Sequence, residues 1–164
     1  MSTNPRDHFL SLTPGKLMGL RRVATVTGQF KVLALDQTGV FRKAFGADIA
    51  RISQAKLELT RALGPYAASV LLDVTTSARQ AVHSGALPRD VGLVVRLERG
   101  CEPGDYGYEE TGWGVAKIKR MGANAVKLLV YVDIEDKKYS QAQLEFVKRT
   151  HEALVPEHLN LGAS

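Results

Sequence analysis

The sequence predicts an α/β protein built from repeated βα units with parallel strands. Four short runs have the composition of strands, and three of them are almost continuously apolar, which is typical of strands covered on both faces. Helical patterns separate or follow these runs, and this alternation indicates stacked βα units. In chain order the predicted strands are Lys31–Asp36, Ser69–Val74, Gly92–Leu97 and Asn124–Asp133.

Helices are predicted where apolar residues recur at helical spacing between the strand runs. The predicted helices are Ala47–Leu63, Thr111–Met121 and Ser140–Leu154, with a weaker pattern over Thr75–His83. Their apolar stripes are Ile49, Ile52, Leu59 and Leu63 in the first, Val115, Ile118 and Met121 in the second, and Leu144, Val147, His151 and Leu154 in the third. His151 is therefore expected to be a packed histidine. The loop Gly100–Thr111 is the longest irregular stretch within the pattern.

The composition predicts one globular domain spanning residues 1–164. Apolar residues make up 45% of the 164 residues and charged residues 24%, which excludes wholesale disorder. The excess of 22 basic over 17 acidic residues gives a net charge of +5, which permits an anionic ligand. The one cysteine excludes an internal disulfide. Because no apolar run is long enough to span a membrane and the start lacks a signal-peptide pattern, a cytoplasmic location is expected.

Polar side chains at the strand ends are the candidates for a site, because ligands of parallel α/β proteins gather beyond the carboxyl ends of the strands. Asp36 and Gln37 follow the first strand, Asp73 ends the second and Glu98 follows the third, whereas Lys127 lies inside the fourth. A desolvated lysine is a candidate nucleophile or proton carrier, but an aspartate within reach would hold it cationic. A turn or cap role for each aspartate and a structural ion pair for the lysine are the alternatives at this point.

Five blocks of the sequence occur in an order and at a spacing similar to those of a known family. The blocks are Leu12–Leu17 (LTPGKL), Leu33–Gln37 (LALDQ), Ser69–Asp73 (SVLLD), Trp113–Lys119 (WGVAKIK) and Gly122–Asp133 (GANAVKLLVYVD). From residue 12 to about residue 150 the chain thereby resembles the class I tagatose-1,6-bisphosphate aldolases. The related sulfofructosephosphate aldolases show the same blocks, so this sequence does not separate the two.

The resemblance implies a (β/α)8 or TIM barrel, of which this chain corresponds to about the first four units, an incomplete N-terminal half. It implies cleavage of a ketose bisphosphate such as tagatose 1,6-bisphosphate into dihydroxyacetone phosphate and an aldehyde through a lysine Schiff base, with no metal or other cofactor. By the same resemblance Asp36 is a catalytic residue near the reacting hydroxyl, and Lys127 is a catalytic residue that positions or polarises a substrate oxygen. Gln37, Asp73 and Glu98 are expected to bind the substrate.

The chain departs from the family pattern at one motif and at its end. Thr38 stands where the family usually has arginine, in an Asp-Gln-Arg-Gly motif, which changes the local phosphate or loop contacts. The family's Schiff-base lysine lies on strand six and its partner glutamate on strand five. This sequence ends at Ser164, with His158–Ser164 in place of an apolar fifth strand. The chain alone is therefore expected to be inactive.

The runner-up interpretation is a non-catalytic half-barrel that binds a sugar phosphate or assembles with a partner chain. Half a barrel leaves open strand edges and an apolar layer that other strands would cover. The expected partners are therefore a phosphorylated ketose substrate and either a second copy, giving a homo-oligomer, or a complementary half-barrel. Scattered basic residues without interleaved aromatics favour a solvated surface over a nucleic-acid track, so neither nucleic acid nor a membrane is expected.

Overall fold

Five parallel strands form one sheet in the part of the chain that the computed structural model describes, namely residues 12–99, 106–157 and 160–163. The strands are β1 (Val32–Ala34), β2 (Ser69–Asp73), β3 (Gly92–Arg96), β4 (Ala125–Leu128) and β5 (Asn160–Ala163), in chain order across the sheet. The helices are α1 (Pro14–Val23), α2 (Gly39–Phe45), α3 (Ile49–Leu63), α4 (Ala78–His83), α5 (Val115–Arg120) and α6 (Lys137–Glu157). None of these helices is long and apolar enough to cross a membrane.

The predicted fold of parallel βα units is confirmed, with one more strand than expected. The four predicted strands are present, each shorter than the run that predicted it. The expectation that His158–Ser164 would not supply a fifth strand is wrong, because β5 pairs in parallel with β4, Asn160 opposite Ala125. A parallel ladder is made by backbone N–H and C=O groups, so a short strand joins it without an apolar run. Residues 158, 159 and 164 lie outside the described residues.

The inner face of the sheet carries a small apolar layer that α1 covers. Ala34 lies opposite Leu71, Leu71 opposite Val94 and Val94 opposite Ala125. Val23, the last residue of α1, packs with Leu71, Val94 and Ala125 in one buried cluster. Because α1 covers the face at this level, polar side chains reach the inner face only further along the strands, towards their carboxyl ends.

The outer face of the sheet packs against the helices and forms the main core. Side chains alternate between the two faces along a strand, so the residues between those of the inner layer point towards the helices. The buried residues of this core include Val70, Leu72, Leu93, Val95, Val126 and Leu128 from the strands and Ile52, Ile118, Phe146 and Leu154 from the helices. Strands covered on both faces explain the continuous apolar runs that predicted them.

The buried face of α3 differs from the predicted stripe. Ile52 and Lys56 are fully buried, whereas Ile49 and Leu63 are exposed. The helix presents this face because the Lys56 ammonium forms an ion pair with Asp73 at the end of β2, with Nζ 2.5 Å from Oδ2. Of the expected stripe, Ile52 is buried and Leu59 packs against the core, but the lysine one turn after Ile52 was not expected there.

The predicted stripe on the last helix is correct in part: Leu154 is fully buried and Val147 packs against the core, whereas the other two residues of the stripe are not. The buried residues of α6 are Tyr139, Gln143, Phe146, Thr150 and Leu154. Leu144 is exposed, and so is His151, which is not the packed histidine expected. The buried face receives the loop that precedes α5, where Gly107 N donates to Gln143 Oε1 at 3.2 Å. Residues 100–105 of the predicted loop lie outside the described residues.

Substituting Gly92 with alanine is expected to destabilise the fold. A Cβ at Gly92 would lie 2.3 Å from the carbonyl oxygen of Arg22 in α1, so the helix or the strand would have to shift. We expect a loss of about 1–3 kcal/mol in the free energy of unfolding, as for other overpacked sites, measured by urea denaturation. Gly39→Ala is the control, because a Cβ there meets no described atom within 4 Å. Equal losses for the two variants would contradict the packing of α1 on β3.

Candidate active site

Four charged residues form one layer across the inner face, at the carboxyl end of the sheet. Asp73 lies opposite Arg96, and Arg96 lies opposite Lys127. Asp36 and Asp73 lie two residues after Ala34 and Leu71, which are paired across β1 and β2. Residues two apart on a strand point to the same side, so this layer lies directly beyond the apolar inner layer. A cleft of about 990 Å³ opens here, and its lining includes Asp36, Arg96, Lys127 and Glu98.

The ammonium group of Lys127 lies between two carboxylates. Its Nζ is 2.8 Å from Oε1 of Glu98 and 3.3 Å from Oδ2 of Asp36. The Lys127 side chain is 12% exposed, and those of Asp36 and Glu98 are 7% and 1% exposed, so water screens these pairs weakly. Both carboxylates therefore form ion pairs with this ammonium group. A cation held in this way can bind and polarise a ligand oxygen, but a protonated amine is not a nucleophile.

Glu98 is held in place by the chain that follows β3. Glu110 N donates to Leu97 O at 2.8 Å, and Glu98 forms an antiparallel bridge with Glu109. Burial raises the pKa of Glu98, and the hydrogen bond and positive charge of Lys127 oppose this effect without cancelling it. The second carboxyl oxygen, Oε2, is buried and has no hydrogen-bond partner among the described residues. A carboxyl group with a raised pKa is suited to carry a proton nearer to neutral pH.

The carboxylate of Asp73 is engaged by donors from its own chain. Besides Lys56, it accepts hydrogen bonds from the backbone amides and hydroxyls of Thr75 and Thr76 and from the hydroxyl of Ser77. Burial alone would raise the pKa of Asp73, but the charge and hydrogen bond of Lys56, helped by these hydroxyls, hold it well below its usual range. Burial lowers the pKa of Lys56, against the attraction of Asp73. The pair thus fixes the turn whose Thr75 and Thr76 line the cleft.

The predicted site residues divide into two groups. Four of them, Asp36, Gln37, Glu98 and Lys127, line the same cleft. Lys127 contacts both Asp36 and Glu98 directly. Asp73 is not part of the lining formed by the described residues. The catalytic and substrate-binding roles expected of all five residues stay predictions.

Sequence reasoning missed Arg96 and Lys56. Arg96 is buried at the end of β3, and its guanidinium donates to the backbone oxygen of Asp36 and to Thr38 Oγ1. The signal that could have found it is strand alternation, since Arg96 precedes Glu98 by two residues and therefore shares its face. Lys56 follows Ile52 by one helical turn, so the same logic on a 3.6-residue period places it in the core.

The cleft offers charged and hydrogen-bonding groups of both signs. They are the ammonium of Lys127, the carboxyl groups of Asp36 and Glu98, the guanidinium of Arg96 and the amide of Gln37. Such a set can hold an oxygen-rich ligand and exchange protons with its hydroxyl groups. Within the described stretches, no three His, Cys, Asp or Glu side chains are grouped to hold a metal ion.

A model of the family described as DeoC/LacD family aldolase matches residues 30–161, a range that includes β1 to β4 and all five predicted site residues. The chain therefore belongs to the DeoC/LacD family of aldolases, and the resemblance found in its sequence blocks is confirmed.

Two similar curated proteins are tagatose 1,6-diphosphate aldolase 2 of Enterococcus faecalis, 29% identical over 161 residues, and tagatose 1,6-diphosphate aldolase 1 of Streptococcus mutans, 27% identical over 157 residues. These matches cover 92% and 85% of this chain but 48% and 46% of those proteins. The chain thus spans about half the length of the curated relatives it matches.

Solved aldolase structures share the fold. The crystal structure of an archaeal fructose 1,6-bisphosphate aldolase matches with a TM-score of 0.58 at 18% identity, covering 89% of this chain and 55% of that one. A Schiff-base-forming fructose-1,6-bisphosphate aldolase matches with a TM-score of 0.55 at 19% identity and the same coverage. At such identities the likeness concerns the fold, and the predicted correspondence to part of a TIM barrel is confirmed, with five strands in place of four.

Asp73→Asn is expected to destabilise the protein more than Lys56→Met. Asparagine leaves the Lys56 ammonium buried and unpaired, and removing one partner of a buried ion pair costs about 3–5 kcal/mol. Methionine at position 56 leaves Asp73 with the amides and hydroxyls of its turn, so a smaller loss is expected. Urea denaturation at neutral pH measures both, with the exposed Lys148→Met as control. A larger loss for Lys56→Met would show that the lysine, and not the turn, stabilises the carboxylate.

The stability contributed by Glu98 is expected to fall as pH rises. Its folded-state pKa is raised above the unfolded value of about 4.3, so the folded state takes up protons there and the buried carboxylate form is disfavoured. Relative to Glu98→Gln, which does not titrate, the unmodified protein should therefore lose unfolding free energy as pH increases from about 4 through the folded-state pKa. Parallel stability–pH curves for the two proteins would contradict the burial of this carboxyl group.

Proposed function

We propose that these residues form the substrate-binding end of a class I aldolase acting on a ketose bisphosphate, such as tagatose 1,6-bisphosphate, to give dihydroxyacetone phosphate and an aldehyde. The observation that carries the proposal is the Lys127 ammonium held between Asp36 and Glu98 in a cleft at the carboxyl end of the sheet. Membership of an aldolase family supports it, and the names of the two similar bacterial enzymes favour tagatose bisphosphate as the substrate.

In this proposal the contacts of each side chain suggest its role. Asp36 reaches the cleft from β1 and accepts the proton of the substrate hydroxyl next to the bond that breaks, since a carboxylate is a suitable base at that position. Lys127 binds a substrate oxygen as a cation. Gln37 and Glu98 bind further substrate oxygens, and Asp73 contributes by fixing Thr75 and Thr76 at the edge of the cleft.

The Schiff base itself is assigned to another lysine than Lys127. Attack on a ketone requires an amine with a free lone pair, whereas the Lys127 amine donates to two carboxylates. The family resemblance places the Schiff-base lysine on a sixth strand, which these residues do not include. We therefore propose that residues 1–164 fold as a single domain that binds the ketose phosphate but does not cleave it alone.

The alternative function is that of a non-catalytic half-barrel that binds a sugar phosphate or assembles with a partner. One observation favours assembly: β1 is an edge strand among the described residues, and Val32 within it and Phe30 just before it are exposed. An edge with exposed apolar side chains invites pairing with another strand. Sedimentation of the purified chain, with titration of dihydroxyacetone phosphate, separates the two functions. A defined homodimer that binds no dihydroxyacetone phosphate would favour assembly over the aldolase site.

Lys127→Met is expected to weaken the binding of dihydroxyacetone phosphate. Methionine has a similar length but no charge, so the loss of a charge-assisted hydrogen bond should reduce affinity by about 10- to 100-fold. Isothermal titration of the unmodified chain, Lys127→Met and Lys148→Met measures this, and the exposed Lys148 serves as the matched control. Unchanged affinity in Lys127→Met would place the ligand elsewhere.

Borohydride reduction tests the assignment of the Schiff base. Treatment of the chain with dihydroxyacetone phosphate and borohydride should leave its intact mass unchanged, because reduction traps only an iminium formed by a neutral amine. An adduct that is absent from Lys127→Met would overturn the proposed role of Lys127 as a cation.

A further inference from the structure

One guanidinium group connects the loop after β1 with the polar cluster of the cleft. Arg96, the last residue of β3, is only 7% exposed. Its Nη1 donates to the backbone oxygen of Asp36 at 2.6 Å, and its Nη2 donates to Thr38 Oγ1 at 3.2 Å. On its other edge, Nε lies 3.9 Å from Oε1 of Glu98, the oxygen that accepts the hydrogen bond from Lys127.

The loop that Arg96 holds leaves the sheet directly before the site. Leu35 N donates to Leu71 O at 2.9 Å, after which the chain turns away from β2 into α2. Thr38 is the N-cap residue of α2, but its hydroxyl makes no capping hydrogen bond and accepts from Arg96 instead. Between the loop and β3, the inner face of β2 presents Leu71 to the cleft, and the leucine side chain has no hydrogen-bond donor for the loop. The hydrogen bonds to the loop therefore come from Arg96 on β3, which reaches across β2.

Arginine is suited to this contact for a geometric reason. Its planar guanidinium directs several N–H groups in fixed directions, so it can hold a carbonyl and a hydroxyl oxygen at the same time. A lysine ammonium is a single point charge on a flexible stem and does not fix two acceptors relative to each other. Holding the backbone of Asp36 also fixes where its carboxylate lies relative to Lys127, 3.3 Å away.

We propose that Arg96 is a positioning residue that holds the Asp36–Thr38 loop from β3 and so keeps the Asp36 carboxylate against Lys127. The importance of this role for catalysis rests on the proposed function, whereas the hydrogen bonds from Arg96 to Asp36 and Thr38 are seen in the structure. Arg96 acts through the loop backbone and is not assigned a contact with the substrate.

The experiment compares Arg96→Lys, Arg96→Ala and Thr38→Val in the full chain, in the absence of ligand. Amide hydrogen exchange at residues 36–39 should become about tenfold faster in both Arg96 variants and less so in Thr38→Val, in proportion to the hydrogen bonds lost. The 13Cε signal of Lys127, in protein labelled at lysine, should move in the Arg96 variants because the Asp36 carboxylate withdraws. A purely structural role of Arg96 would leave that signal in place.

The outcomes separate this inference from the proposed function. Unchanged loop exchange and an unmoved Lys127 signal in a folded Arg96→Lys protein would overturn the inference. If Arg96→Ala does not fold, Arg96→Lys and the isosteric Thr38→Val decide it, and additive effects in the Arg96→Lys/Thr38→Val double variant would also count against it. Failure of the unmodified chain to bind dihydroxyacetone phosphate would overturn the proposed function and leave the exchange result standing.

Discussion

The register of the parallel strands is the constraint on which the site depends. Each strand pairs with the next so that Leu71, Val94 and Ala125 form one inner layer, and the residues two positions on then form the next layer. Because side chains alternate strictly, a slip of one residue on any strand would turn its charged residue to the helix-covered face. The packing of Val23 against the apolar layer stabilises this register. The charged layer is thus placed by apolar contacts one step below it.

Each charged residue of this buried layer requires a partner of opposite charge or a hydrogen-bonding partner. These partners form two separate groups. Asp73 pairs with Lys56 from α3, behind the cleft, and fixes a turn. Asp36 and Glu98 share Lys127 inside the cleft. An unpaired buried charge would cost several kcal/mol, so the helix lysine, together with the amides and hydroxyls of the turn, allows a second aspartate to lie in the layer without competing for Lys127.

Much of the fold could be predicted because both faces of β2 and β3 are buried, which leaves continuous apolar runs in the sequence. The fifth strand could not, since Asn160–Ala163 joins the ladder through backbone groups. Of the site, Asp36 and Glu98 were predicted from strand ends, and Lys127 from its place inside an apolar strand. Lys56 was missed because a helical lysine usually lies in solvent, and its burial depends on a tertiary partner. The faces of α3 and α6 were predicted only in part for the same reason, since polar residues with buried partners also lie on them.

On the proposed function, the contacts of Lys127 explain why the reaction needs a second lysine. An amine that attacks a ketone needs a free lone pair, whereas the Lys127 amine donates to two carboxylates. An amine that binds and polarises an oxygen acts through its N–H groups and its charge, and ion pairs that fix its position suit that task. The two tasks therefore require different surroundings and are not met by one side chain. On this proposal a second lysine, away from these carboxylates, supplies the attacking amine, while Lys127 binds the substrate oxygen.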